Sequence, residues 1–456
     1  MRSRNPHLLS AALTLGLAAT AGAQGTRLAT RNLPAPVAST ESDMLGSVAA
    51  VRHLSNGNVL VNDQARRRVL LLDKDMKLIS VVADSTSNTG NAYGARQGGL
   101  IPYRGDSTYF VDPASLSMML IDANGKIVGI KAAPRPNDVM ALSVPAMGTP
   151  GFDAKGRLIY RSMDFGFRGG ARPEPGKPFV PPTPPDSAAL VRFDLAARKL
   201  DTVAFYKIPK ANVQMSQDAN GGMRVSVTMN PLPIVDDWAV LSDGSVALVR
   251  GQDYHVDIID GDGVKKSGEK VPYEWQRMTD DDKQRFLDSA KTAIENLRKT
   301  QTAANGSATG ARAADVGAMA GAAMGGAPMV MTMTREGPGG GAPPMRVDIG
   351  GAGPNAAGGP PPIQMVSISE LPDYKPVFGN SSVRADMDGR VWVRTIPTKP
   401  TAGPVYEVLD NTGKLVDRVM VPAGSTIAGF GAGGIVYLGV RDATGGLKLQ
   451  RITLGK

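Results

Sequence analysis

Short runs in which hydrophobic and polar residues alternate recur along the chain, and they recur inside one phrase. The phrase is an alternating arm, a tight turn on Gly, Asn or Asp, and a second β-rich arm. It reads VAAVRHLSNGNVLVND (48–63), LIPYRGDSTYFVD (100–112), TPGFDAKGRLIYRS (149–162), WAVLSDGSVALVR (238–250), SSVRADMDGRVWVR (381–394) and TIAGFGAGGIVYLGV (426–440). A period of two sends successive side chains to opposite faces, which predicts strands. Asn-Gly and Asp-Gly suit the connecting turn because both residues tolerate positive φ, matching the twist of the flanking strands.

After each of the first five phrases a third strand ends in Asp at a turn: Asp73, Asp122, Asp194, Asp260 and Asp410. A fourth strand follows, such as LISVVA (78–83), IVGIKA (127–132) or LVDRVMV (415–421). Each Asp predicts an Asx turn, its carboxylate accepting a backbone N–H two residues on. As calcium ligands the five would each come from a different repeat. The turn glycines fall at Gly57, Gly105, Gly156, Gly244, Gly389 and Gly434. Their shorter intervals match the roughly 40–50 residues of a four-stranded propeller blade, and the longer ones are blades with inserts. The last repeat stops after a third strand, LKLQRITL (447–454). TRLATRNL (26–33) is expected to supply the missing outer strand and close the ring.

On these residues the chain resembles the six-bladed β-propeller superfamily in its NHL and TolB-like branch, and it looks most like exported bacterial propellers of unassigned role. The Trp-Asp pattern of WD40 blades is missing; the three Trp are Trp238, Trp275 and Trp392. The resemblance implies a disc with a central channel and no single activity, because one fold hosts unrelated functions. The expected fold is all-β: a six-bladed propeller closed by an N-terminal strand, with one helical and flexible insertion between blades four and five.

Successive loops of a four-stranded blade alternate between the two faces of the disc. Turns from first to second and from third to fourth strand share one face, and here all are tight. The long inserts belong to the other face: 164–187 within blade three, 211–233 between blades three and four, and 273–376 between blades four and five. In the last, 279–299 predicts a helix capped by Thr279, with Asp280–Asp282 at its start and Arg298 and Lys299 at its end. Phe286, Ala290, Ile294 and Leu297 form one apolar stripe, expected to pack on the propeller. Residues 301–365 turn Gly, Ala, Pro and Met-rich and are expected to be largely disordered, with a local hairpin between 328–336 and 345–349. The Met spacing there, from Met319 to Met365, is too irregular for a copper motif.

The N-terminus sets the compartment. Arg2 and Arg4, an apolar run from Leu8 to Ala19 and Ala21-Gly22-Ala23 read as a signal peptide over 1–23. The mature chain is then expected to be periplasmic or extracellular, with no transmembrane segment. The expected division is 24–272 for blades one to four, 273–365 for the insertion and 366–456 for blades five and six.

Composition removes several chemistries. The chain has 456 residues and no Cys, which excludes disulfides, thiolate metal sites and Cys nucleophiles. Three His (His7, His53, His255) leave little for a metal site or a His-based triad. The formal charge is +9, but Lys and Arg are scattered, with Arg66-Arg67-Arg68 the one tight cluster, so no nucleic-acid partner is expected. GFGAGG (429–434) leads into a strand and not a helix, so it is a hairpin turn and not a dinucleotide loop. Asp386-Met387-Asp388-Gly389 and Asp260-Gly261-Asp262-Gly263 read as turns, and His255 as a strand residue.

Polar side chains at the channel mouth remain as candidates: Arg52, Tyr103, Arg104, Asp236, Asp237, Asn380, Arg384 and Asp386. Gluconolactonase-type propellers hold calcium there with convergent acid and amide groups. Of such groups Asp236, Asp237 and Asn380 are present, too few to carry the assignment across. No catalytic residue and no cofactor is assigned, calcium being the one candidate ion. The leading reading is a non-catalytic exported propeller that binds a protein, peptide or glycan on its loop-bearing face. The alternative is a metal-dependent hydrolase or lyase, lactonase-like, acting at the channel mouth.

Overall fold

All six turn glycines have positive φ, between 57° and 85°, and each joins the first and second strands of one antiparallel sheet. The computed structural model describes residues 28–86, 93–163, 185–210, 212–217, 223–305, 331–333, 347–349, 364–442 and 445–455. Blade one is Ala50–His53, Val59–Asp63, Arg68–Leu72 and Leu78–Ala83, paired in that order. Blade two is Gly99–Pro102, Thr108–Asp112, Ser117–Ile121 and Ile127–Ala132. Gly151–Phe152, Leu158–Arg161, Ser187–Asp194 and Lys199–Lys207 form blade three. Blade four is Asp237–Val240, Val246–Arg250, His255–Ile259 and Lys265–Ser267. Blade five is Val383–Ala385, Val391–Thr395, Val405–Leu409 and Leu415–Met420. Blade six is Ser425–Gly431, Ile435–Arg441 and Leu447–Thr453, completed by an N-terminal strand.

The first strands of blades one and two, two and three, three and four, four and five, and six and one touch in turn. Asp388 of blade five closes the remaining seam by accepting the N–H groups of Gly433 and Gly434 at 2.9 and 2.8 Å. The molecule is a six-bladed β-propeller. Each blade is packed on both faces, which is why Val59–Asp63 and Thr108–Asp112 are buried at every position. Between blades one and two, Leu60, Val69 and Leu71 meet Phe110, Met119 and Ile121. All five predicted Asx turns form; Asp122 Oδ1, for instance, accepts the N–H groups of Asn124 and Lys126 at 2.9 and 2.8 Å.

The ring closes through the N-terminal segment, but not through the residues expected. Ala38–Ser39, and not 26–33, supplies the outer strand of blade six, antiparallel to Leu447–Thr453. Arg31–Asn32 instead adds a parallel fifth strand to blade five. The reason is local. Arg31 meets Asp417 on that edge, its Nε 2.8 Å from Oδ2, and Pro34 and Pro36 lack the N–H a ladder needs. The chain therefore crosses from blade to blade there and resumes pairing at Val37, whose N–H reaches Arg451 O at 2.8 Å.

Two inserts on the loop-bearing face fold together. Asn212–Gln217 and Met223–Met229 form a hairpin, and Gln364–Met365 joins it in parallel beside Met229. The helix runs Asp280–Asn305, longer than the 279–299 expected, and Thr279 Oγ1 and the Asp282 N–H form its capping contact at 3.2 Å. Ala290 and Ile294 are buried as the stripe predicts and Phe286 half-buried, while Leu287 joins them; the Leu297 side chain lies outside the described residues. Met331–Met333 pairs with Val347–Ile349, the hairpin expected. The signal-peptide residues 1–23, the insert over 164–184 and most of 306–363 lie outside the described residues. Among the described residues no helix is long and apolar enough to cross a membrane.

Candidate functional site

The candidate channel residues divide between the two mouths. The first strand of each blade starts on the loop-bearing face and ends at the tight turns, so a four-residue strand separates the mouths by about 13 Å. Arg52, Tyr103, Arg104 and Asp386 lie at the tight-turn end, Asp236, Asp237 and Asn380 at the loop-bearing end, and half-buried Arg384 between them.

At the tight-turn end the channel is crossed by side chains. Arg52 of blade one donates from Nη2 to Gly105 O of blade two at 2.6 Å and reaches Met387 Sδ of blade five at 4.0 Å. Burial holds its guanidinium below the usual arginine value, against the pull of Asp106. His53 beside it bonds Tyr437 through Nδ1 at 2.7 Å, and burial together with Arg52 depresses its imidazole. Neighbouring turns are stitched together: Ser55 N–H donates to Asp106 at 2.8 Å, and Arg104 Nη2 to Lys155 O at 2.7 Å. Tyr103 packs edge-on against Phe152, ring centroids 4.7 Å apart. Asp386 Oδ1 caps its own turn through the N–H groups of Asp388 and Arg390, and its Oδ2 accepts Arg390 Nε and Trp392 Nε1.

At the loop-bearing end the two Asp serve the backbone. Asp237 Oδ2 accepts the N–H groups of Ser382 and Val383 at 2.7 and 2.9 Å, and Oδ1 accepts that of Trp238. Asp236 accepts the N–H groups of Lys207 and Gly251 and Arg250 Nη1. Asn380 Nδ2 and Ser381 Oγ donate to Ala146 O at 3.3 and 3.0 Å. The loop entering blade three thus meets the loop entering blade five in front of blade four. Among the described residues no group of three or more His, Cys, Asp or Glu stands close enough to hold a metal ion.

No protein-family model matches the sequence, and no curated protein matches it significantly. Solved structures do match. A gluconolactonase of Xanthomonas campestris is 12% identical with a TM-score of 0.37, over 90% of this chain and 87% of its own. A catalytically inactive virginiamycin B lyase of Staphylococcus aureus with quinupristin is 11% identical with a TM-score of 0.34, over 91% and 99%. TolB of Acinetobacter baumannii is 9% identical with a TM-score of 0.31, over 90% and 64%. At these values none of them bears on what this chain binds or does.

The loop-bearing face carries the remaining candidate surface. Leu232 from one insert packs with Met278, Leu287, Val366 and Leu371 from the other, each at most 8% exposed. Val366 N–H donates to Met229 O at 3.0 Å, extending the parallel pairing. Lys283, buried in the helix, reaches Asp373 with Nζ at 2.9 Å. Between the helix and residues 365–369 runs a shallow open groove of about 690 Å³, lined by Gln284, Leu287, Asp288, Lys291, Met365 and Ser367 among others. Sequence reasoning treated the two inserts separately. The available signal was Asn220-Gly221-Gly222 between two alternating runs, a hairpin pattern whose free edge needed a partner.

Proposed function

We propose that this chain is a non-catalytic, exported propeller that binds a protein, peptide or glycan through its loop-bearing face. The observation that carries the reading is the joining of two inserts, distant in sequence, into one module with its own apolar core. Loops merely tolerated on a scaffold have no need of a shared sheet and core, whereas a built surface on a rigid support is how binding sites are usually presented. The opposite face is latched turn to turn. The N-terminal residues 1–23, which read as an export signal, support placement outside the cytoplasm.

The test is affinity capture from envelope extract with two baits, the whole mature chain and a variant lacking 279–365. Met278 and Val366, both in the module core, are joined in the variant by a short Gly-Ser linker. The expected result is a cooperatively melting propeller that has lost the captured partner. Capture of the same partner by the truncated protein would overturn the reading.

A further inference from the structure

At the base of the large insertion its two ends run side by side. Met278 N–H donates to Asp373 O at 2.8 Å, Lys375 N–H to Gln276 O at 2.9 Å, and Arg277 faces Tyr374 in an antiparallel bridge. Residues directly opposite in such a pair point the same way, as do residues two apart on one strand. Trp275, Arg277 and Tyr374 therefore share one side of this stem. Those three are exposed, while on the other side Gln276 and Lys375 are half-buried and Met278 is buried; Pro376, opposite Trp275 on the exposed side, is buried at its base.

Two large aromatic rings in water at one place need an explanation. Trp275 is 41% exposed and Tyr374 49%, whereas Trp238 and Trp392 are at most 1% exposed. The Trp275 ring is also held. Tyr273 meets it edge-on with centroids 5.5 Å apart, and Tyr273 is itself anchored by its hydroxyl on Ile396 O at 3.0 Å and by Tyr254 at 5.9 Å. A rigid aromatic face loses little conformational entropy on binding. Trp275 and Tyr374 stand on the outside of the stem and not in a cleft, so its aromatic side is a platform. A platform of this kind suits a flat ligand with an apolar face and a polar rim. Arg277 stands on the same side, directly opposite Tyr374, to meet that rim.

We propose that Trp275 and Tyr374 form a saccharide-binding platform, in which the C–H face of a pyranose ring stacks on the indole and Arg277 bonds its hydroxyls. The ligand class is an extended polysaccharide, since an open surface sets no end to the chain it carries. The proposal rests on the loop-bearing face being the contact face, but it places the sugar on the stem and not on the helix and sheet above it.

The test is affinity electrophoresis of the mature chain through gels containing soluble β-glucan, glycol chitin or mannan, with a sugar-free gel as reference. Retardation is expected in at least one gel, with at least tenfold weaker binding for Trp275→Ala and a smaller loss for Tyr374→Ala. Phe205→Ala, an exposed ring on the outer strand of blade three, should bind unchanged. The variant lacking 279–365 keeps the stem and should be retarded like the full chain, which separates this proposal from the preceding one. Migration of the wild type unaltered by all three sugars overturns the platform, and so does equal retardation of a folded Trp275→Ala protein. Quenching of Trp275 fluorescence by decaproline without any sugar effect also overturns it, and marks a proline-recognising surface instead.

Discussion

Asp237, the first residue of the inner strand of blade four, accepts the N–H of Val383, the first residue of the inner strand of blade five, at 2.9 Å. The carboxylate belongs to the seam between two blades, and the sequence placed it among channel-mouth candidates. Its position has a thermodynamic consequence. Burial pushes its carboxyl up to about 6, although the N–H groups of Val383, Trp238 and Ser382 pull the other way.

A group whose folded value lies above its unfolded value of 3.8 binds a proton more tightly in the native state. Its contribution to stability is fully present below about pH 3.8 and is lost as pH rises through about 6, a change on the order of 3 kcal/mol. Asp237→Asn removes this titration and turns an NH2 group toward a backbone donor, costing about 2 kcal/mol. Melting temperatures of both proteins from pH 7 to pH 4 should diverge further as pH falls. Parallel curves would show that Asp237 does not titrate in that window.

Two glycines with nearly equal φ separate crowding from backbone strain. Gly244 has φ +85° and a Cβ there would stand 2.3 Å from Ala154 N, in the neighbouring turn of blade three. Gly263 has φ +87° and nothing within 4 Å. Gly263→Ala is expected to cost about 1 kcal/mol, from the left-handed conformation alone. Gly244→Ala should cost about 3 kcal/mol or more, because backbone must also move. Urea denaturation of the two variants checks the difference.

The N-terminal clasp should matter through its strand and not through its ion pair. The Arg31 side chain is 38% exposed in its contact with Asp417, so Arg31→Ala should cost at most about 1 kcal/mol. Thr40 is different: its N–H meets Leu449 O at 2.9 Å and its hydroxyl accepts the Leu449 N–H at 3.0 Å, both buried. A chain starting at Leu45 bares the edge of blade six and should melt well below the mature chain, with a tendency to self-associate that light scattering would detect.

Calcium should leave this protein unaltered at the loop-bearing mouth. Both oxygens of Asp236 and of Asp237 already face N–H donors, and a calcium ion needs six to eight oxygen ligands, about 2.3–2.6 Å away. Melting curves in calcium and in chelator should superimpose. A rise in melting temperature with calcium would return the lactonase-like alternative to consideration.

How much of this was legible depends on the range of the interaction. Turn glycines, the five Asx aspartates and the capped helix are local, and each follows from residues within four positions of one another. The six-fold repeat follows from them, because a strand pattern that recurs at blade length has few ways to bury both faces. The closing strand was misplaced by a few residues, since the alternation around 26–33 says nothing of Asp417, which selects Arg31 from the far end of the chain.

The sequence by itself determined the blade strands other than the closing one, their turns, the number of blades and the face that carries the inserts, because period-two patterning and turn chemistry are properties of neighbouring residues. Only the tertiary structure decided that Arg52 and Asp237 sit at opposite mouths and that Asp236 and Asp237 hold backbone. It alone joined Leu232 to Leu287 and set Arg277 opposite Tyr374. Those relationships depend on which distant segment fills a free strand edge or an unmet donor, and a linear pattern carries no record of that choice.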